Sequence, residues 1–180
     1  FFFTPNKTKM ELTKKLNEVI VCCESKKIFK ILKHYGCKAI MTSTKHKNGT
    51  ERIAEGYQKI KRNFDLVIDI QGDEPLIDPG HIDQIIDFHL NNNDADIVLP
   101  SLKISKQEND NIVKIVKDVD NKVMYLSRSK VPYDFRIKKN YLYKHLSIIS
   151  FKPEALIKFS KSKITHLEKI EGIELLRALE

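Results

Sequence analysis

The 180 residues carry 32 Lys and Arg against 24 Asp and Glu, a formal net charge of +8, with 41% hydrophobic and 31% charged residues. That length predicts one domain with a real core, and no apolar run reaches the roughly 18 residues of a membrane span. The positive balance favours anionic ligands such as nucleotides and acidic sugars, while scattered lysines without interleaved aromatics argue against nucleic acid.

The three cysteines, Cys22, Cys23 and Cys37, show no CxxC or Cys/His spacing for zinc. An odd count without a framework points to a reducing compartment, the cytoplasm. Phe1-Phe2-Phe3 is too short for a signal segment, and a start without Met reads as a fragment.

In chain order, Met10–Leu16 carries a short helical pattern, and Glu18–Cys23 reads as a buried strand. Ser25 caps a helix over Lys26–Tyr35 that Gly36 ends. Lys38–Thr42 is a second short strand, followed by a polar loop from Ser43 to Thr50. Ile53, Ala54, Tyr57 and Ile60 mark the inner face of the next helix. Leu66–Ile70 is a third strand. Asp78-Pro79 opens a helix with an N-cap carboxylate and proline at the first turn, and Ile82, Ile85, Ile86, His89 and Leu90 form its apolar stripe. Asp96–Leu102 is a fourth strand. Strands alternating with helices predict a mainly parallel sheet. Ile112–Lys117 and Val123–Leu126 flank Asp120-Asn121 as a hairpin, an antiparallel extension. A basic loop covers Ser127–Asn140, Tyr143–Phe151 is a strand, Pro153 opens a short helix, and His166–Leu179 is an amphipathic one.

Five stretches carry candidate chemistry. In Asp69-Ile70-Gln71-Gly72-Asp73-Glu74-Pro75, a buried strand stops at a glycine and presents carboxylates where open α/β sheets collect ligands. The same residues also suit a plain turn. Asp73 and Glu74 have the chemistry of a magnesium site in phosphoryl transfer, and Gln71 offers an amide. Lys47-Asn48-Gly49-Thr50-Glu51-Arg52 leads into a helix N-terminus, where free N–H groups attract anions; it is equally a capped helix start, and its spacing is not that of a Walker loop. Arg128, directly after a strand, suits bidentate contact with a carboxylate or phosphate, or else belongs to a solvated loop. His145 shares a face with Tyr143 and Ser147, as a ligand contact or a half-buried structural residue. His89 on its apolar stripe reads as packing. Glu168, Glu171 and Glu174 share one side of the last helix, with Glu174 able to pair with Arg177.

Taken in order, Asn48-Gly49-Thr50-Glu51-Arg52, Gln71-Gly72-Asp73-Glu74-Pro75, Val113-Lys114, Tyr125-Leu126-Ser127-Arg128 with Val131-Pro132, Lys144-His145-Leu146, and Leu167-Glu168 with Glu171, Glu174 and Leu176-Arg177 resemble the CMP-Kdo synthetase family. Its members are 3-deoxy-manno-octulosonate (Kdo) cytidylyltransferases of Gram-negative bacteria. The resemblance runs from about Glu18 to Glu180. It implies a Rossmann-like nucleotidyltransferase fold, α/β with helices on both faces of a mainly parallel sheet, as a single domain over 1–180 and usually a homodimer. It implies that the sugar 2-hydroxyl attacks the α-phosphate of CTP, giving CMP-Kdo for lipopolysaccharide and pyrophosphate, with Mg2+ screening the phosphates. By position, Asp73 would be catalytic and the magnesium ligand, and Arg128 catalytic and facing the sugar carboxylate. Gln71, His145, Glu168 and Glu171 would meet the sugar acid, and Asn48, Gly49, Thr50 and Arg52 would border the nucleotide. No nucleic acid or membrane partner is implied. Family members open with a phosphate-gripping strand and loop and close with a strand and a second metal carboxylate, so the chain is expected to be truncated at both ends, with residues 1–16 poorly matched. Cys22-Cys23-Glu24 and Ser147 depart from the common family residues. The alternatives are a sister enzyme for an 8-amino or sialic-type acid and a non-catalytic sugar- or nucleotide-binding remnant.

Overall fold

The computed structural model describes residues 13–72, 77–106 and 109–180, and among these described residues nine strands and six helices are built around three hydrogen-bonded sheets. The chain divides into two compact units. The first takes residues up to Val98 together with Ser147–Ser160, and the second takes Leu99–Leu146 with Lys161–Glu180.

The first unit begins with a right-sized βαβ element: β1 (Val21–Cys23), α1 (Lys26–His34) and β2 (Ala39–Met41), the two strands parallel with Val21 opposite Ala39. Ser25 caps α1 by accepting from the Ile28 N–H, and Gly36 follows it at φ 67°, a left-handed conformation that glycine tolerates. Residues 13–16 are not helical, and the remainder of the helix expected over Met10–Leu16 lies outside the described residues. α2 (Gly49–Ile60) packs on this pair. A Cβ on Gly56 would lie 2.3 Å from the Cys22 sulfur, so the glycine is what lets α2 approach β1 so closely.

β3 (Val67–Ile70), α3 (Pro79–Asn91) and β4 (Ile97–Val98) follow. Asp78 caps α3 through the Gly80 N–H at 2.8 Å. Ile82, Ile85, Ile86, Val98 and Ile148 form the buried core against α3. His89 is buried within this layer, its two ring nitrogens bonded to the Ser150 hydroxyl (2.7 Å) and the Ala95 carbonyl (3.0 Å). The carbonyl requires an N–H on Nε2, so the ring is the neutral tautomer that accepts from Ser150. Burial holds its pKa below the usual value. The packing role expected of His89 is what the structure shows.

The expectation of a mainly parallel sheet is corrected. β9 (Ile148–Phe151) lies between β3 and β4 and runs antiparallel to both, with Ile70 opposite Ile148 and Val98 opposite Ser150. Only β1 and β2 pair in parallel among the described residues. The physical reason is connectivity: β9 enters directly from the preceding strand, with no crossover helix to restore its direction. Two expected strands are each split. Asp96–Leu102 becomes β4 and β5 (Ser101–Ser105), broken at Leu99-Pro100, and Tyr143–Phe151 becomes β8 (Tyr141–His145) and β9. Each break coincides with a passage between the units.

In the second unit the sheet order is β5, β8, β6 (Lys114–Lys117), β7 (Val123–Ser127), all antiparallel. β6 and β7 form the expected hairpin, with Asn121 at φ 64° in its turn. α4 (Pro153–Lys161) ends where the chain returns to this unit. The single helix expected over His166–Leu179 is instead α5 (His166–Glu171) and α6 (Leu176–Leu179), interrupted at Gly172 with φ 62°. No helix of the described residues is long and apolar enough to cross a membrane.

Candidate active site

In the first unit, α2 starts at the C-terminal ends of the parallel pair. Asn48 is extended and its Oδ1 accepts from the Glu51 N–H at 2.9 Å, while Glu51 accepts from the Lys47 N–H at 3.0 Å. Space is open around Gly49. Thr50 is fully buried, and its hydroxyl has no hydrogen-bond partner among the described residues. Arg52 spans both strand ends: Nη1 donates to Thr42 Oγ1 (3.0 Å) and the Ser43 carbonyl (3.3 Å), and Nη2 pairs with Glu24 (2.5 Å). These bonds fix the framework under the loop. The loop from Ser43 to Asn48 is held by Glu55, which accepts from the Ser43 N–H (2.8 Å), contacts the His46 ring and pairs with Lys59 (2.6 Å). Lys59, the Ser43 N–H and His46 together hold the Glu55 carboxyl down to about 2.

β3 delivers Asp69, which is buried, and then Gln71, whose N–H donates to the Ser147 carbonyl at 3.2 Å. Asp73 and Glu74 lie outside the described residues. Among the described residues, no three His, Cys, Asp or Glu side chains gather as metal ligands. Burial, and then the negative charge of Asp69 nearby, pushes the Cys22 thiol up to about 11. It is a protonated packing group and not an activated nucleophile.

The second unit places the other candidates. Glu171, at the end of α5, accepts from the Tyr125 hydroxyl (3.2 Å), the Ser127 hydroxyl (2.7 Å) and the Arg128 N–H (2.9 Å). Burial pushes its carboxyl up, but these donors outweigh it and hold the group below the usual carboxylate range. The Arg128 guanidinium donates to three carbonyls: Nε to Glu171 (2.9 Å), Nη1 to Asp110 (2.8 Å) and Nη2 to Gly172 (3.3 Å). Among the described residues, one N–H on each terminal nitrogen is left without an acceptor. Arg128 and Glu171 are thus brought together, as the sequence did not indicate.

Glu168 is buried and takes both Nε (2.8 Å) and Nη2 (2.6 Å) of the equally buried Arg177. Its Oε2 also accepts from the Thr165 N–H, closing a capping box at the start of α5. This is a partner for Arg177 beyond the Glu174 that the sequence suggested. The break at Gly172 takes Glu174 off the helix that carries Glu168 and Glu171. His145 ends β8, with its N–H on the Val113 carbonyl at 2.8 Å, and its buried Nδ1 has no partner among the described residues. Burial, then the Lys144 charge, lowers its pKa to about 4, so the ring is neutral.

Lys114, Tyr125 and Ser127 join this corner of the second unit without a role expected from the sequence. Lys114 is 1% exposed and donates to the carbonyls of Asn109 (2.8 Å) and Arg128. The sign available in sequence was a lysine inside the apolar run Ile112–Val116.

A cytidylyltransferase family model matches residues 8–180. A 3-deoxy-manno-octulosonate cytidylyltransferase of Thermodesulfovibrio yellowstonii is 39% identical across 93% of this chain and 71% of its own length. That of Fusobacterium nucleatum is 38% identical across 92% of this chain and 68% of its own. Among solved structures, a CMP:2-keto-3-deoxy-manno-octonic acid synthetase complexed with CTP superposes with a TM-score of 0.88 at 25% identity, covering 98% of this chain and 73% of that one. A 4-diphosphocytidyl-2C-methyl-D-erythritol synthase from Anaerococcus prevotii shares the fold at a TM-score of 0.53 and 15% identity. The chain belongs to the cytidylyltransferase family and has its α/β nucleotidyltransferase fold.

Proposed function

We propose that this chain transfers CMP from CTP to Kdo, releasing pyrophosphate. The observation that carries this reading is its likeness, across more than nine-tenths of its length, to 3-deoxy-manno-octulosonate cytidylyltransferases. The sugar 2-hydroxyl oxygen forms a bond to the α-phosphorus, the bond from that phosphorus to the bridging oxygen breaks, and the hydroxyl proton is lost. Such a displacement asks for positioning and charge stabilisation without a covalent nucleophile.

Each unit would contribute separately. The start of α2, with Asn48, Gly49 and Thr50 on a frame held by Arg52, would border the nucleotide. Arg128 would meet the sugar carboxylate with its remaining N–H groups, and the neutral His145 would accept from a sugar hydroxyl through Nδ1. Gln71 and the helix carrying Glu168 and Glu171 would complete the sugar contacts, Glu168 by fixing that helix through Arg177. A magnesium ion held by Asp73 would supply charge screening at the phosphates. The working state on this reading is a cytoplasmic homodimer, for which the exposed Tyr133, Phe135 and Ile137 offer surface to cover.

The test is pyrophosphate release from CTP with Kdo, with its 8-amino analogue and with a sialic-type acid. Turnover with Kdo is expected to exceed the others; turnover only with another acid overturns the substrate, and none with any acid overturns the enzyme reading. Asp73→Asn is expected to abolish metal-dependent release, and a rate near wild type would remove Asp73 from the metal role.

A further inference from the structure

Lys114 sits on the central strand of the part of the second-unit sheet that carries two proposed sugar contacts. It pairs with Ser127 on one side and with Lys144 on the other. Arg128 directly follows Ser127, and His145 directly follows Lys144. The Lys114 ammonium is fully buried, its hydrogen bonds go to the carbonyls of Asn109 and Arg128, and among the described residues it makes no ion pair with a carboxylate. Taking an ammonium out of water without a counter-charge is strongly unfavourable, and an apolar side chain of the same length would fill the volume without that penalty. What the charge secures is the main chain at Arg128, whose guanidinium then reaches Asp110, Glu171 and Gly172. The loop at Asn109–Asp110, the end of β7 and the end of α5 are therefore joined through these two cations. A second feature belongs to the same unit: the buried Nδ1 of His145, which has no partner among the described residues.

We propose that Lys114 is a positioning residue for the carboxylate of the acidic sugar: it pins the Arg128 carbonyl, aims the guanidinium and keeps this corner of the sheet electropositive for an anion. The proposal rests on the cytidylyltransferase reading and adds to it a residue that does not touch substrate.

The experiment compares wild type with Lys114→Met and Lys114→Arg in pyrophosphate release, varying Kdo at saturating CTP and CTP at saturating Kdo, with thermal midpoints measured without ligand. Lys114→Met is expected to raise KM for Kdo about 10-fold or more while KM for CTP stays within about twofold, the pattern of one lost binding contribution. Its thermal midpoint is expected to fall only modestly, since removal of a buried charge offsets the loss of its two carbonyl hydrogen bonds. Lys114→Arg is expected to recover part of the Kdo affinity. An unchanged KM for Kdo in a folded Lys114→Met, or a parallel rise in both KM values, overturns the assignment. Should Lys114→Arg fail to fold, Lys114→Gln replaces it, and recovery of Kdo affinity by that neutral side chain would also overturn the role of charge. A wild-type chain with no acid-dependent release sinks the cytidylyltransferase reading itself, an outcome distinct from a responsive wild type with an unaffected variant.

Discussion

At the scale of single residues, His145 gives the sharpest pH signature. Its pKa is lowered from 6.5 to about 4 by burial and then by Lys144. The unfolded chain takes up this proton as pH falls below the ordinary value, and the folded chain resists until about 4. The stability it contributes is therefore fully present above 6.5 and is lost between 6.5 and about 4. His145→Gln is expected to flatten that part of the thermal-midpoint profile relative to wild type; an identical acid slope in both would remove His145 as its source. Alternation along β8 sets His145 on the side of Tyr143, because side chains on a strand change sides at every residue, but the strand ends before Ser147, the other neighbour expected on that face. What Arg128 binds was not legible. Its partners are the carbonyls of Asp110, Glu171 and Gly172, and a backbone acceptor leaves no mark on the residue type. The same blindness concealed Lys114 as a strut while leaving its odd position in an apolar run in plain view.

At the scale of elements, the contact between α2 and β1 depends on a missing side chain. Gly56→Ala would drive its Cβ to 2.3 Å from the Cys22 sulfur, and overpacking of this kind typically destabilises by about 1–3 kcal/mol. Urea denaturation is expected to show that loss, and Cys22→Ala is expected to restore much of it in the double variant. Equal losses with and without the sulfur would show that the clash lies elsewhere. Helices with strong caps and stripes were legible: Ser25, Asn48 and Asp78 each cap the helix that follows. The strand breaks were legible only in part. Pro100, lacking an N–H, marks the division between β4 and β5. Nothing comparable marks Leu146-Ser147, where apolar alternation runs on while the strand ends. The reversed direction of β9 was hidden for the same reason, since a strand's pattern does not reveal which neighbour it will join.

At the scale of the whole molecule, the net charge of +8 faces two anionic substrates. Screening shortens from roughly 10 Å at 0.1 M salt to 3 Å at 1 M. KM for CTP and for Kdo is expected to rise several-fold over that range with kcat less affected; salt-independent KM values would show that the charge is compositional only. The scattered lysines gave the sign of this field from sequence, while the division into two units was beyond composition. That division has a temporal side. The chain leaves the first unit after Val98 and re-enters it at Ser147, bringing the strand that joins β3 to β4. During synthesis, β3 and β4 emerge from the ribosome well before that partner exists. Until β9 arrives, their edges stand open to other chains, so this sheet closes late, and crowded expression is when the protein is most exposed to aggregation.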